Sequence, residues 1–557
     1  MLRFLSAVVA WSLRNRVIVL VGTLVFVFFG ARAARTLPVD AVPDITNVQV
    51  QVITTAPALS PVEIEQFVTV PIERAMSGIP KSTEVRSLSK YGLSVVTIVF
   101  RDDVDIFWAR QLVSERLREA EDAMSLQYGR PELGPISTGL GEVFQFALRN
   151  EDLTLMELHE QLEWYIAPQL RLVPGIVEVS TFGGEDRQYQ VVLEPGRLQA
   201  TGLSVAQVVE ALKKANANAG GGFIEHDRQH FVIGTEGLLQ SREDVLRVVV
   251  DVTKDGVPIT IGALGDVKFG GVLRKGAASK NGEGEVVVGV ALMLMGENSR
   301  TVTEAVKAKL ASLESTLPPG TRVEPFYDRA AMVDRTIGTV GKNLLEGALL
   351  VMLVLFLLLG DLRGGAVVAI TIPLSLLFAV MLMNAFGLSG NLMSLGAIDF
   401  GLLVDGAVII VENAVRRLSE RQALQDAPLT MEERLETVEK STLEVRAASV
   451  FGEAIIAIVY LPVLALIGTE GKLFRPMATT VLLALLGAFI LSLTLVPVLT
   501  SLFVKPQRAH EETWLLKQVH RLYRPAFEAA MRFRAVTVGI AVVALALTVG
   551  LFTRLGA

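Results

Sequence analysis

Residues 396–413 read GAIDFGLLVDGAVIIVEN. The stretch is apolar enough to cross a membrane, yet it carries Asp399, Asp405 and Glu412. A carboxylate at a bilayer centre costs about 2.5–3.5 kcal/mol on insertion scales, so intramembrane acids mark ion pathways by default. At 1.5 Å and 100° per helical residue, Asp399 to Asp405 spans about 9 Å and Asp405 to Glu412 about 10.5 Å. Asp405 and Glu412 share a face within about 20°, and Asp399 sits about 120° away. The three form a ladder, which suits proton hopping with water between steps. It suits a single three-carboxylate metal site poorly, because the ligands do not converge on an unbroken helix. A desolvated carboxylate titrates closer to neutrality, and such a group can load a proton on one side and release it on the other. Gly396, Gly401 and Gly406 would let a neighbouring helix approach closely.

The rest of the chain supplies the setting. Of 557 residues, 51% are hydrophobic and 20% charged, and the mean hydropathy is +0.48. The apolar excess collects in blocks of about 20 residues, the length that crosses a hydrocarbon core. Seven spans are expected, at 17–34, 344–359, 366–386, 392–411, 448–467, 480–504 and 535–551. The first follows Arg3, Arg14 and Arg16 and is too long for a signal-peptide core, so it reads as a retained helix. Basic residues at the N-terminus, at Arg416, Arg417 and Arg421, and from Lys505 to Arg534 place those segments in the cytoplasm. The turn at 387–391 has no Lys or Arg, and 468–476 reads as an outer loop with only Lys472 and Arg475. Alternation then puts the insert 35–335 outside, which in a two-membrane bacterium is the periplasm. The stretch EETWLLKQVHRLYRPAFEAAMRFR (511–534) reads as an amphipathic helix lying on the membrane surface. The expected divisions are 1–35 (cytoplasmic N-terminus and first span), 36–335 (periplasmic), 336–505 (spans two to six), 506–534 (cytoplasmic linker) and 535–557 (seventh span). A net charge of −6 gives no support to a nucleic-acid partner. There is no cysteine to form disulfides or thiolate metal sites. No Walker A sequence points to ATP, and no cofactor is implied.

The insert reads as α+β. Strands are expected at 47–55, 93–100 and 142–150, and helices at 60–78, 105–123 and 154–170. Ser60, Pro61 and Glu63 form a capping-box start. The order suggests repeated split βαβ units, and the glycine-rich 219–234 an exposed hairpin. His226 and His230 are four apart, but the flanking glycines suggest a hairpin tip, where they would not converge on Zn²⁺. Met293 and Met295 would share a strand face and read as packed core rather than a soft-metal pair. An internal repeat also stands out: 12–37 and 530–555 both open on an R-x-R pair, continue as an apolar span and end in Arg and Leu. Internally repeated membrane folds place transport sites between repeats. A second copy of the architecture is therefore expected to begin near 530, and the chain to be a half-protein that does not transport alone.

These residues carry a resemblance. The pattern D-F-G-x-x-V-D-G-x-x-x-x-V-E-N, with LPVDAVPDITNVQVQVITTAPALSPVEIEQFVTVPIE (37–73), VRSLSKYGLSVVTIVF (85–100) and ARQLVSERLREA (109–120), closely resembles the resistance-nodulation-division (RND) superfamily and its heavy-metal-efflux branch. The resemblance runs the length of the chain. It implies an inner-membrane, proton-driven antiporter, a homotrimer working with a periplasmic adaptor protein and an outer-membrane channel. It carries the proton-relay role to Asp399, Asp405 and Glu412. It divides the insert into a first porter subdomain, a second one, and a docking subdomain inserted within the second. Multidrug members usually carry two adjacent Asp residues in this helix, whereas here Asp405 is followed by Gly406 and accompanied by Asp399. That departure favours a divalent metal cation (zinc, cobalt, cadmium or nickel) as cargo, with a multidrug exporter as the alternative. The resemblance names no metal-binding residue in this chain. An intramembrane aspartyl protease would need a G-x-G-D turn, and Leu358 stands where its first glycine belongs before Gly360 and Asp361.

Overall fold

Arginine pairs set where the first and last long apolar helices begin. In the computed structural model these helices start at the second arginine of each R-x-R pair, as α1 (Arg16–Thr36) and α7 (Arg534–Phe552). Between them run α2 (Arg329–Leu359), α3 (Leu362–Ala385), α4 (Phe400–Ala423), α5 (Met431–Leu464) and α6 (Gly468–Leu493). The structure describes residues 2–40, 42–124, 128–218, 220–234, 237–274, 276–359, 361–396, 400–425, 427–504, 514–552 and 554. Among these, six helices are long and apolar enough to cross a membrane, and α5 makes a seventh as two segments bent by 46° between Arg446 and Ser449. The chain divides into two compact units, one of 1–140, 296–301 and 329–557, the other of 141–295 and 302–328.

In the first unit, α4 lies in the middle of the helical core. Val404, Ala407, Ile410, Val411, Val415 and Leu418 pack with Val367 and Ile372 of α3, Val438 and Val450 of α5, and Leu491 of α6. A separate helix, Leu2–Arg14, buries Leu5, Val9 and Leu13 in the same core. Its four-residue spacing is the apolar stripe of an amphipathic helix, whereas the basic flank alone suggests only a cytoplasmic leader. The stretch 468–476, read as a loop from its polar residues, forms the first turns of α6. Lys472 there reaches Asp102 Oδ1 at 2.6 Å and donates to the Thr46 carbonyl at 2.8 Å, so the start of the helix is tied down. Arg329, 3% exposed, opens α2 and is bidentate to Asp40, at 2.9 and 2.8 Å.

The same unit carries a four-stranded antiparallel sheet ordered Ser82–Lys90, Leu93–Phe100, Gln49–Thr55, Pro131–Leu133. The connectivity is β-α-β-β-α-β, with helices at 61–76 and Ile106–Ala123. The second unit repeats it: Arg322–Asp328, Glu142–Arg149, Val287–Met293, Ile176–Phe182, with helices at 155–171 and Ser299–Leu313. Residues 183–286 depart between its second and third strands. Gly183, at φ +77°, lies so close to the Val286 carbonyl that no Cβ fits, which brings the exit and re-entry of this excursion together. It has its own core of Leu203, Val208, Val245, Ile261, Leu264 and Val267.

The first helix of each sheet shares an unusual device. Ile64, Val68, Ile72 and Met76 are fully buried at strict four-residue spacing, and Leu158, Leu162, Ile166 and Leu170 repeat it at 4% exposure or less. On a regular α-helix such a row drifts about 40° per step. Both helices contain a π-turn, at Glu65–Thr69 and Gln161–Ile166. Its wider i→i+5 pairing slows the rotation and keeps the row facing the sheet.

The hairpin expected near 219–234 forms from Gly220–His226 and Gln229–Gly234. His226 stands opposite Gln229 and His230 opposite Glu225, so successive cross-strand pairs send the two imidazoles to opposite faces. Met293 ends its strand, 8% exposed, and Met295 lies in the following turn. The expected shared strand face does not form, because the strand stops between them.

The capping box read from sequence at Ser60 is present, and the structure shows a second at Thr154. The Ser60 N–H donates to Glu63 Oε2 at 2.9 Å and the Glu63 N–H to Ser60 Oγ at 3.5 Å; Thr154 and Glu157 match them at 2.8 and 3.3 Å. Hydrogen bonds from the Ser60 and Thr154 backbone, then from their hydroxyls, hold the Glu63 and Glu157 carboxyls below the usual range. A depressed folded-state carboxyl contributes stability above its unfolded value that is lost as pH falls through the folded one. Ser60→Ala is expected to cost about 1 kcal/mol locally, read as about five-fold faster hydrogen exchange at the first amides of helix 61–76. In the wild type the same amides lose protection as the pH is lowered below the ordinary carboxylate range. Unchanged exchange in the variant would show the box to be ornamental.

Candidate functional site

The site is built on α4. Along this helix Gly401, Asp405, Glu412 and Arg416 are exposed, while Val404, Gly406, Ala407, Ile410, Val411 and Asn413 are buried. Asp405 and Glu412 therefore share one face, and this chain leaves that face uncovered. Neither has a hydrogen-bond or ion-pair partner among the described residues. The burial anticipated for them is not supplied by the seven helices here. Asp399 lies outside the described residues. No group of three or more His, Asp or Glu side chains among the described residues is placed to hold a metal ion.

The opposite side of α4 is fixed by close packing and by two polar contacts. A Cβ on Gly364 of α3 would lie 3.1 Å from Val411 Cγ1, so glycine sets that helix separation. Toward the C-terminal end of α4, Asn413, 4% exposed, donates from Nδ2 to the Ser441 carbonyl of α5 at 2.8 Å and to Glu444 at 3.3 Å. Its Oδ1 accepts from Arg416 at 2.8 Å. The Asn of the V-E-N signature is thus an interhelical tie.

The second contact is at Gly406. Here α5 brings up Arg446, whose side chain is 1% exposed, and Glu453, whose side chain is 16% exposed. Nη1 donates to Glu453 Oε1 at 2.9 Å and Nη2 to Oε2 at 3.2 Å. Nη1 also reaches Ser449 Oγ at 3.3 Å, and the guanidinium lies 4.7 Å from the Phe489 ring centroid of α6. Arg446 Nε is buried with no partner among the described residues. A Cβ at 406 would overlap Glu453 Oε1 and approach Arg446 Nη1 to 3.2 Å. Asp405 is near enough for its charge to act on Glu453. The span expected at 448–467 leaves Arg446 outside it, so apolar run length alone does not reveal this pair. The signal was present: an acid within the span, seven residues and so one helical face from an arginine.

The model of the AcrB/AcrD/AcrF family matches residues 8–557. The cation efflux system protein CzcA of Alcaligenes sp. is 46% identical over 559 residues, covering 99% of this chain and 52% of that protein. The nickel and cobalt resistance protein CnrA of Cupriavidus metallidurans is 40% identical over 585 residues, covering 99% of this chain and 54% of that protein. A crystal structure of a heavy metal efflux pump superposes with a TM-score of 0.84 at 35% identity, over 97% of this chain and 51% of that one. The chain spans about half the length of the relatives it matches.

Asn413→Leu is expected to destabilise the protein by about 1–3 kcal/mol, because the Ser441 carbonyl and the Arg416 guanidinium lose a buried partner. Thermal denaturation in detergent measures it. A melting temperature equal to that of the wild type would show that the tie adds nothing to helix packing.

Proposed function

The chain belongs to the AcrB/AcrD/AcrF family, within the heavy-metal-efflux branch of the RND superfamily, and on that footing we propose that it serves proton-driven efflux of divalent heavy-metal cations. The observation that carries this reading is the uncovered acidic face of α4: two carboxylates, about 10.5 Å apart along the axis, on a helix otherwise packed into an apolar core. A proton on one of them removes a charge from hydrocarbon, so occupancy is coupled to whatever covers that face. Asp405 and Glu412 act as successive proton acceptors, and Asp399, by its place in the same signature, as a third.

The cargo follows from the relatives, which are named for cation efflux and for nickel and cobalt resistance. That naming supports a zinc, cobalt, cadmium or nickel class of substrate over the multidrug alternative. The multi-pass chain lies in the bacterial inner membrane with its N-terminus in the cytoplasm. The two four-stranded sheets are porter subdomains in the periplasm. The excursion 183–286 with its exposed hairpin is a docking subdomain. The working assembly is a homotrimer with a periplasmic adaptor and an outer-membrane channel.

The test uses the full-length protein in sealed vesicles under an imposed pH gradient, with Zn²⁺, Co²⁺, Cd²⁺ and Cu⁺ offered separately. Divalent movement that requires the gradient is expected from the wild type, and the level of protein-free vesicles from Asp405→Asn. Gradient-driven movement at the wild-type rate in Asp405→Asn would exclude Asp405 from the proton path. Export of dyes and detergents without metal movement would select the multidrug reading.

A further inference from the structure

We propose that Glu453 of α5 is a working partner of Asp405, so that Asp405, Glu453 and Arg446 form one protonatable unit assembled through the opening that Gly406 leaves in α4. The proposal rests on the reading that the α4 acids carry protons, and it adds a residue from a different helix.

Three observations carry it. The first is steric. The carboxylate of Glu453 occupies the place that any side chain at 406 would take, so it meets α4 beside Asp405. The second is charge. With all three groups ionised the unit carries one net negative charge, and one bound proton makes it neutral. A charge within a membrane bundle is costly, so the unit has room for one proton. Of the charged groups on the helices packed against α4, Lys342 and Glu346 of α2 are exposed and pair with each other at 3.7 Å. The ionisable residues of α6, Glu470, Lys472 and Arg475, lie in its first turns, and α6 meets Arg446 with Phe489 instead. In α3 the only ionisable residue is Arg363, at its first turn, and in the helix Leu2–Arg14 they are Arg3 and Arg14 near its ends. Glu412 is the next acid along the same face of α4 and would receive the proton.

The third observation concerns Arg446 itself. A purely structural ion pair satisfies its donors, since a buried unpaired polar atom is costly. Arg446 Nε is buried with no partner among the described residues, although both terminal nitrogens are engaged. The guanidinium thus holds Glu453 at the seam while keeping an unused donor. The 46° bend of α5 falls between the two members of the pair, where such a charge movement would be felt.

Glu453 is a positioning residue, and its test reads Asp405 directly. The full-length protein in vesicles is treated with a hydrophobic carbodiimide, which modifies protonated carboxyls, and labelling of Asp405 is followed against pH by mass spectrometry. Glu453→Gln is expected to displace the Asp405 profile by about one pH unit or more, and to lower gradient-driven metal movement about ten-fold. Glu453→Asp is expected to return the profile part of the way. Should Glu453→Gln fail to fold, Gly406→Ala decides the matter, since it keeps all three charges and displaces Glu453 from Asp405. Coincident Asp405 profiles in wild type and variant would overturn the proposal, whatever the cargo. A displaced profile in vesicles that move no metal would uphold the coupling and refute the transport reading alone.

Discussion

A guanidinium shut between helices has to be matched where it lies. Removing one partner of a buried ion pair leaves an uncompensated charge and costs about 3–5 kcal/mol, so the position of Arg446 constrains everything around it. Glu453 must stand opposite it. For Glu453 to fit, residue 406 can have no side chain. With Gly406 fixed, helical geometry places Asp405 beside the pair and Glu412 two turns further along the same face. Asn413 then closes the seam between α4 and α5 from the other end. The D-G-x-x-x-x-V-E-N signature therefore records a packing solution as much as a set of acids. Its glycine and asparagine hold the helix, and its carboxylates remain on the side that this chain leaves open.

The two sheets show how one connectivity takes on two tasks. Both are β-α-β-β-α-β, and both begin with a helix whose buried row is kept in register by a π-turn. They differ in the link between the second and third strands. In the first it is a tight turn from Lys90 to Leu93. In the second it is an excursion of about a hundred residues, closed at its neck by Gly183 against Val286. Because the neck is narrow, the excursion builds its own core without disturbing the strands that flank it.

Much of this was legible in the sequence, for identifiable reasons. The spans follow from apolar run length, the helix start at Ser60 from its acidic partner Glu63, and the shared face of Asp405 and Glu412 from a seven-residue separation. What escaped is equally specific. Run length marks the apolar part of α5, so Arg446 fell outside the span although the helix begins at Met431. The polar residues at 468–476 suggested a loop, but Lys472 is there to bind Thr46 and Asp102 and not to meet solvent. The Met293 and Met295 pattern assumed a strand two residues longer than the one that forms. For Lys472 the local pattern was overridden by partners distant in sequence, and nothing local specifies such partners.

That Lys472 contact has a mechanical consequence. From Lys472 to Phe489, the residue that caps the Arg446 guanidinium, α6 runs 17 residues as one helix, with Pro476 near its start, or about 25 Å at 1.5 Å per residue. A hydrogen-bonded helix resists stretching far more than tilting, so this length acts as a strut. One end is pinned to the Thr46 turn and the other bears on the charged seam between α4 and α5. The two ends cannot be displaced along the strut independently.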